Sequence, residues 1–380
     1  MFRFPYSTNK SPRCLIFLTD KAIFISLAKI YFTKPFGKKL AMKRILLISA
    51  SILSLLALVY VSGPSFPKPE LSNKLPEIQV SISGFESYLT DKNSALKIKP
   101  DNESRVIWDN DSLKNKTAYC LLYLHGFSAS WYEGNPVHID FAKRYGMNLY
   151  IPLLASHGID TTEALIDMTP DRLYESAKEA LVAAQSLGNK VILMSTSTGG
   201  TLSLKLTSEF PDLVSGLILY SPNVAINNGA AFLLSKPWGL QIARSVYKGN
   251  YRITNTDFSS EDCRYWNCKY RLEAIIYLQQ LVESTMKKET FSKINKPVFL
   301  GYYYKDEEHQ DKVVKVDAML KMFDELGTPE NLKQKIAFPE AGEHPIASKL
   351  FSKSWQDVEK ASYQFAEEKL GLIPGINDKE

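Results

Sequence analysis

Ten residues near the middle of the chain carry the first chemical signal. Val191-Ile192-Leu193-Met194 is a short apolar run. It is followed by Ser195-Thr196-Ser197-Thr198-Gly199-Gly200 and then by Thr201-Leu202-Ser203-Leu204-Lys205-Leu206. The pattern predicts a buried strand, a tight turn of small residues and the start of a helix. A serine at that corner stands at a helix amino terminus, where unpaired N–H groups favour developing negative charge. A serine hydroxyl alone is a weak nucleophile. It needs a base within hydrogen-bond reach and a third group to orient that base. The candidate bases are few: His125, His138, His157, His309 and His344. Taken alone, the ten residues are equally a Ser/Thr/Gly loop between a strand and a helix.

Three further segments bear on that choice. Cys120-Leu121-Leu122-Tyr123-Leu124 runs into His125-Gly126-Phe127. Leu154-Ala155-Ser156-His157-Gly158 lies downstream. Pro339-Glu340-Ala341-Gly342-Glu343-His344 follows the strand-like Lys335-Ile336-Ala337-Phe338. In order and spacing the four segments together resemble the α/β-hydrolases, over about Ile78 to Leu370. The likeness is to the serine carboxylesterase and monoacylglycerol-lipase branch. It implies that Ser197 is the nucleophile, although Ser195 stands where the family's Gly-x-Ser-x-Gly begins with glycine. It implies that His344 is the base, because the family's base comes last, after the final strand. The backbone N–H groups of Phe127 and Thr198 would form the oxyanion hole. The acid should follow the strand Val298–Tyr304. Counting forward from Pro297 gives Asp306. Counting back from the next helix, Asp311-Lys312-Val313-Val314 matches the family's Asp-x-Val-Val. One of the two aspartates is the acid, and Asp311 is preferred because the valine pair should anchor the turn. His125 and His157 are then structural, and Glu133-Gly134 lies near enough to bond the oxyanion loop.

The implied activity is cleavage of a carboxylic ester, of a small molecule or a lipid, through an acyl-enzyme. Thioesterases, amidases and acyltransferases share the same triad. A serine nucleophile argues against epoxide hydrolase or dehalogenase chemistry, which uses aspartate in this fold. The alternative is a membrane-anchored binding protein without catalysis, motivated by Ser195 and by an acid loop longer than usual.

The elements that must position these residues follow from the patterning. Strands are expected at Gln79–Ser83, Ser104–Trp108, Ala118–Leu124, Asn148–Leu153, Lys190–Met194, Leu213–Tyr220, Pro297–Tyr304 and Lys335–Phe338, mostly separated by helices. The clearest helix is Pro170 to Leu187, with Asp171 at its cap. Alternation of this kind predicts an α/β fold with a mostly parallel, doubly covered sheet. Its core would be residues 77–221 and 297–372. Residues 222–296 exceed a single connecting helix and read as a helical cap, with helices at Ala230–Val246 and Tyr270–Met286. The cap is rich in aromatics: Phe232, Trp238, Tyr247, Tyr251, Tyr265, Trp266, Tyr270 and Tyr277. Most should hold the cap together and a few should line the pocket.

The ends of the chain read differently. Of the 380 residues, Ile45 to Val61 carry no charge, follow Met42-Lys43-Arg44 and precede Gly63-Pro64. As a helix this run is about 25 Å long, just short of a typical hydrocarbon core. Residues 42–63 therefore read as a signal anchor or a cleaved signal peptide, the uncleaved anchor being preferred because no small-residue cleavage site closes the run. The positive-inside rule then puts the catalytic body outside the cytoplasm, periplasmic or extracellular. Residues 1–41 read as an over-extended start with Met42 the true initiator, or as a disordered extension; the alternative is a marginal second membrane segment at Ala22–Phe32, which Lys29 interrupts. Residues 64–76 read as a linker and 373–380 as a tail. The formal net charge is +5. Residues 1–62 hold ten Lys/Arg and one acid, so the remainder is mildly acidic and a nucleic-acid partner is not expected. Cys263 and Cys268 could close a small loop in an oxidising compartment. Two cysteines with no histidine nearby cannot complete a zinc site. Gly199-Gly200 is too short for a phosphate loop, and no cofactor or metal is expected. The oligomeric state is not indicated.

Overall fold

The computed structural model describes residues 38–375. Most of the expected 1–41 extension, Cys14 and the end of the tail lie outside the described residues. Two units are distinguished, dividing between Ser62 and Gly63.

The first unit contains helix α1, Lys38–Val61. Its stretch Met42–Val61 has a mean hydropathy of 2.2 and is long and apolar enough to cross a membrane.

The second unit is built on a seven-stranded sheet. In chain order its elements are α2 (Phe85–Ser94), β1 (Arg105–Ile107), β2 (Thr117–Leu124), α3 (Val137–Arg144), β3 (Asn148–Ile151), α4 (Pro170–Leu187), β4 (Gly188–Thr196), α5 (Thr198–Glu209) and β5 (Gly216–Tyr220). Then come α6 (Gly239–Tyr247), β6 (Tyr251–Ile253), α7 (Glu261–Tyr265), β7 (Lys269–Arg271), α8 (Glu273–Thr285), α9 (Lys288–Phe291), β8 (Val298–Tyr302), α10 (Val316–Asp324), β9 (Lys333–Ala337) and α11 (Trp355–Lys369). The sheet order is β1-β3-β2-β4-β5-β8-β9. Only β1 is antiparallel to its neighbour.

The central strands are apolar throughout because both faces of the sheet are covered. Successive side chains go to opposite sides. Leu122, Leu124, Val191, Leu193, Leu217 and Leu219 enter one core, with residues of α4, α5 and α8. Leu121, Tyr123, Ile192, Met194, Ile218 and Tyr220 enter the other, with residues of α3 and α11. The register sets Leu124 beside Ser195 and Thr196 beside Tyr220, so β2, β4 and β5 end together at one edge.

Several expectations need correction. Residues 79–83 form no strand. Ser81 accepts the Gly84 N–H on both its carbonyl and its hydroxyl, which turns the chain into α2. Ile78, Val80 and Ile82 still pack against the core, so the alternation reports burial without a ladder. The cap of α4 is Thr169, whose hydroxyl accepts the Arg172 N–H. Asp171 instead accepts the N–H groups of Glu70 and Leu71. That bond is one of several that strap down the segment expected to be a linker. Buried Lys178 donates to the carbonyls of Ser72 and Lys74, Gln280 donates to Pro67, and Phe66 packs edge-on against Tyr277.

The segment between β5 and β8 is less helical than expected. The predicted Ala230–Val246 helix breaks at Pro237-Trp238, where proline cannot continue a helix and Trp238 takes φ 67°. The predicted Tyr270–Met286 helix begins only at Glu273, because Lys269–Arg271 pairs with Tyr251–Ile253 as a two-stranded ribbon.

Cys263 and Cys268 are joined by a disulfide. The loop it closes is fastened to the body. Lys99 donates to the Cys263 and Trp266 carbonyls, Tyr265 stacks on Tyr132 at 4.1 Å, and the Asn267 N–H bonds the Ser128 carbonyl. Reducing the bridge is expected to lower stability by about 2 kcal/mol, the chain-entropy value for so short a loop. Urea unfolding with and without dithiothreitol measures it, and an unchanged midpoint would count against the estimate.

Candidate active site

Ser197 is the single residue between the end of β4 and the start of α5. Its φ of 54° and ψ of −118° lie in a region that non-glycine residues rarely occupy. The backbone around it is over-determined. Its N–H bonds the Tyr220 carbonyl at 3.0 Å, and its own carbonyl accepts the N–H groups of Gly200 and Asn223, each at 2.9 Å. The small residues are required by contact. A Cβ on Gly199 would stand 1.9 Å from the Leu124 carbonyl oxygen, and one on Gly200 would stand 2.6 Å from Pro222 Cβ. Ser195, in the position of the missing first glycine, fits because its hydroxyl accepts a 3.0 Å bond from Ser203 in α5. We expect Gly199→Ala to push the end of β2 away from the corner. Since a misplacement of about 1 Å can cost about 100-fold in rate, kcat/KM on an activated ester should fall by that order while the protein remains folded.

His344 lies on the loop after β9, and its Nδ1 is 2.6 Å from Asp311 Oδ2. Asp311 is fully buried. Its Oδ1 accepts the N–H groups of Val313 and Val314 at 2.8 and 3.1 Å. Burial disfavours the carboxylate. The charge and hydrogen bond of His344, with the two valine N–H groups, outweigh burial and hold the pKa below its ordinary value. Burial also disfavours the imidazolium, but Asp311 outweighs it, with Glu133 and Glu343 adding, and the pKa of His344 is raised. Ser197 and His344 line the same pocket. No hydrogen bond joins them; His344 Nε2 is buried and without a partner.

Asp306 stands apart from His344. Residues 305–309 form an exposed excursion closed by a bridge between Tyr304 and Gln310. Asp306 Oδ1 accepts the N–H groups of Glu308 and His309, and its carboxylate touches the His309 ring at 2.8 Å. This excursion is the extra length in the loop, and it carries Asp306 outward.

The loop after β2 holds the other side of the pocket. Phe127 and Thr198 both line it, and the backbone N–H of neither bonds another described group. His125 is locked from both nitrogens. Nδ1 bonds the Gly126 carbonyl at 2.9 Å, and Nε2 accepts the Leu154 N–H at 3.0 Å. Burial, with His157 nearby, lowers its pKa to about 3, so it stays neutral at pH 7 with its one ring proton on Nδ1, held by the Gly126 carbonyl. His157 bonds the Ala155 carbonyl and is likewise depressed by burial, to about 4. Glu133 reaches back to the same loop and accepts the Gly126 N–H on Oε2 at 2.5 Å.

The pocket has a volume of about 500 Å³. Its walls are mainly apolar, from Ile226, Leu233, Leu234, Ile242, Val246 and Leu278 among others. Of the cap aromatics, Tyr247, Trp266 and Tyr270 line it. Phe232, Trp238, Tyr251, Tyr265 and Tyr277 are not among the lining residues, and packing accounts for the last three. Arg252 and Lys312 also line the pocket, and no sequence pattern marked either of them for it. Among the described residues, the only group with metal-ligand spacing is Asp262 with Cys263 and Cys268. Both of those sulfurs are spent in the disulfide.

No protein-family model and no curated protein sequence matches the chain. Solved structures do. One of the metagenome-derived lipolytic enzymes LipS and LipT aligns over 70% of this chain and 98% of its own, with 14% identity and a TM-score of 0.56. DcsB, in complex with a substrate analogue, aligns over 72% of this chain and 98% of its own, with 16% identity and a TM-score of 0.50. The chain has the α/β-hydrolase fold.

Proposed function

We propose that this chain is a serine hydrolase that cleaves carboxylic esters through an acyl-enzyme. The observation that carries the reading is the buried Asp311–His344 contact on the pocket wall that also holds Ser197 at its strained corner. Lipolytic chemistry in a protein of the same fold supports it.

The geometry suits the following steps. Asp311 holds His344 with its proton on Nδ1, leaving Nε2 as the base. Ser197 Oγ attacks the ester carbonyl carbon as Nε2 takes the hydroxyl proton. The carbonyl oxygen becomes an oxyanion, bonded by the N–H groups of Phe127 in the loop after β2 and of Thr198 at the amino end of α5. Collapse breaks the C–O bond, and the alcohol leaves with the proton from His344. Water, deprotonated by His344, then releases the acid and restores Ser197. The mainly apolar walls suit the hydrocarbon part of a small-molecule or lipid ester.

The apolar Met42–Val61 helix supports a membrane anchor, and the Cys263–Cys268 disulfide supports an oxidising compartment outside the cytoplasm. A fluorophosphonate probe tests the central reading on the full-length protein in detergent. Labelling mapped to Ser197 supports it. Folded protein that takes no label would instead favour a binding protein.

A further inference from the structure

Glu133 is a buried carboxyl with no ordinary structural excuse. It sits on the 3-10 turn Trp131–Gly134, is 2% exposed, and pairs with no lysine or arginine among the described residues. Among the residues lining the pocket it is the only acid. One oxygen, Oε2, accepts the Gly126 N–H. The other, Oε1, accepts no backbone N–H; the Tyr123 hydroxyl lies close to the carboxyl, and Glu133 lines the pocket together with the nucleophile. A Cβ placed on Gly126 would stand 2.6 Å from Oε1 and 3.0 Å from Ser197 Cβ, so the carboxyl and the serine flank the same small space left by the glycine.

Resting on the serine-hydrolase reading above, we propose that Glu133 is a further catalytic residue, a neutral carboxylic acid whose Oε1–H donates to the substrate carbonyl oxygen as charge develops there. It is a third donor beside the N–H groups of Phe127 and Thr198. The proton stays on Glu133 throughout. Because Oε2 is engaged as an acceptor, the acid proton belongs on Oε1. The ionised form would do the opposite, setting a negative charge next to a developing oxyanion. Two titratable groups face Glu133. Tyr123 comes from β2, and burial holds its phenol well above the range in which it could ionise. His344 comes from the loop after β9 and is already paired with Asp311. Burial raises the pKa to about 8, outweighing the Gly126 N–H, the His344 charge and the Tyr123 hydroxyl, which all favour the carboxylate. An acid kept neutral at pH 7 by an apolar site can serve as an oxyanion donor.

The test compares wild type, Glu133→Gln and Glu133→Ala on p-nitrophenyl butyrate between pH 6 and pH 10. Wild-type kcat/KM should rise as His344 loses its proton and fall above about pH 8 as Glu133 ionises. Glutamine keeps an acceptor for Gly126 and presents an N–H donor that does not titrate, so E133Q should stay active and lose the alkaline fall. E133A should lose about 100- to 1,000-fold, mainly in kcat, as other oxyanion donors do when removed. An alkaline limb that persists unchanged in E133Q overturns the proposal, as does wild-type kcat in E133A. Should E133A fail to fold, the E133Q profile decides alone. Fluorophosphonate labelling of wild-type Ser197 separates the two readings. With labelling and an unshifted limb, only the role of Glu133 falls; without labelling, the serine-hydrolase reading falls first.

Discussion

Replacing Ser197 by alanine is expected to lower kcat by about a millionfold, the order seen when a triad serine is removed from an enzyme of this mechanism. The residual rate should be unaffected by a further His344→Ala change, because base and nucleophile act as one unit and their losses do not add. Single-turnover hydrolysis of a p-nitrophenyl ester reads both. The corner gives a second signature. At φ 54° a Cβ is strained and a glycine is not. Ser197→Gly should therefore be more stable than Ser197→Ala by about 1 kcal/mol in urea unfolding, while both are inactive. If Ser197→Ala kept most of its turnover, another hydroxyl in the pocket, such as Ser128, would have to be the nucleophile.

What the sequence made legible was the part written in local pattern. The apolar runs of β2 and β4 are buried on both faces, and their period of two divides them between two cores. The turn between β4 and α5 announced itself through small residues, and contacts of Gly199 and Gly200 show why bulk is excluded there. Other features depended on tertiary context. The alternation at 79–83 is the same for a strand and for a packed loop, and only the absence of a neighbouring strand decides between them. The break before α6 was readable in Pro237, which the helical period overrode. Lys178 looks like a solvent-facing residue of an amphipathic helix, yet its ammonium is capped by two carbonyls of the 64–76 segment. Glu133 could be placed near the oxyanion loop by spacing. Its lack of a cation and its burial could not, since both depend on what the rest of the chain leaves around it.

The two aspartates show most clearly where counting fails, and they carry the second large prediction. Forward counting from β8 reaches Asp306 and backward counting from α10 reaches Asp311, because the excursion closed by Tyr304 and Gln310 adds length between the two reference points. Asp311→Asn should nearly abolish turnover, by about 10,000-fold, while leaving the fold intact. The reason lies in the oxygen that does not face histidine. Asp311 Oδ1 accepts the Val313 and Val314 N–H groups, so an asparagine must keep its carbonyl oxygen there and turn its NH2 toward His344 Nδ1. The ring then accepts at Nδ1 and carries its proton on Nε2, where it cannot serve as a base for Ser197. Loss of the carboxylate also removes what raises the pKa of His344, so the acidic limb of any residual activity should move to lower pH. Asp306→Asn should leave kcat unchanged and stability within about 0.5 kcal/mol, since its partners are on the exposed excursion. Measured kcat for the two variants, with the pH profile of each, separates the roles. Equal losses at both positions would mean that the excursion folds over the pocket during turnover, and a loss at Asp306 alone would return the acid to the position that forward counting gives.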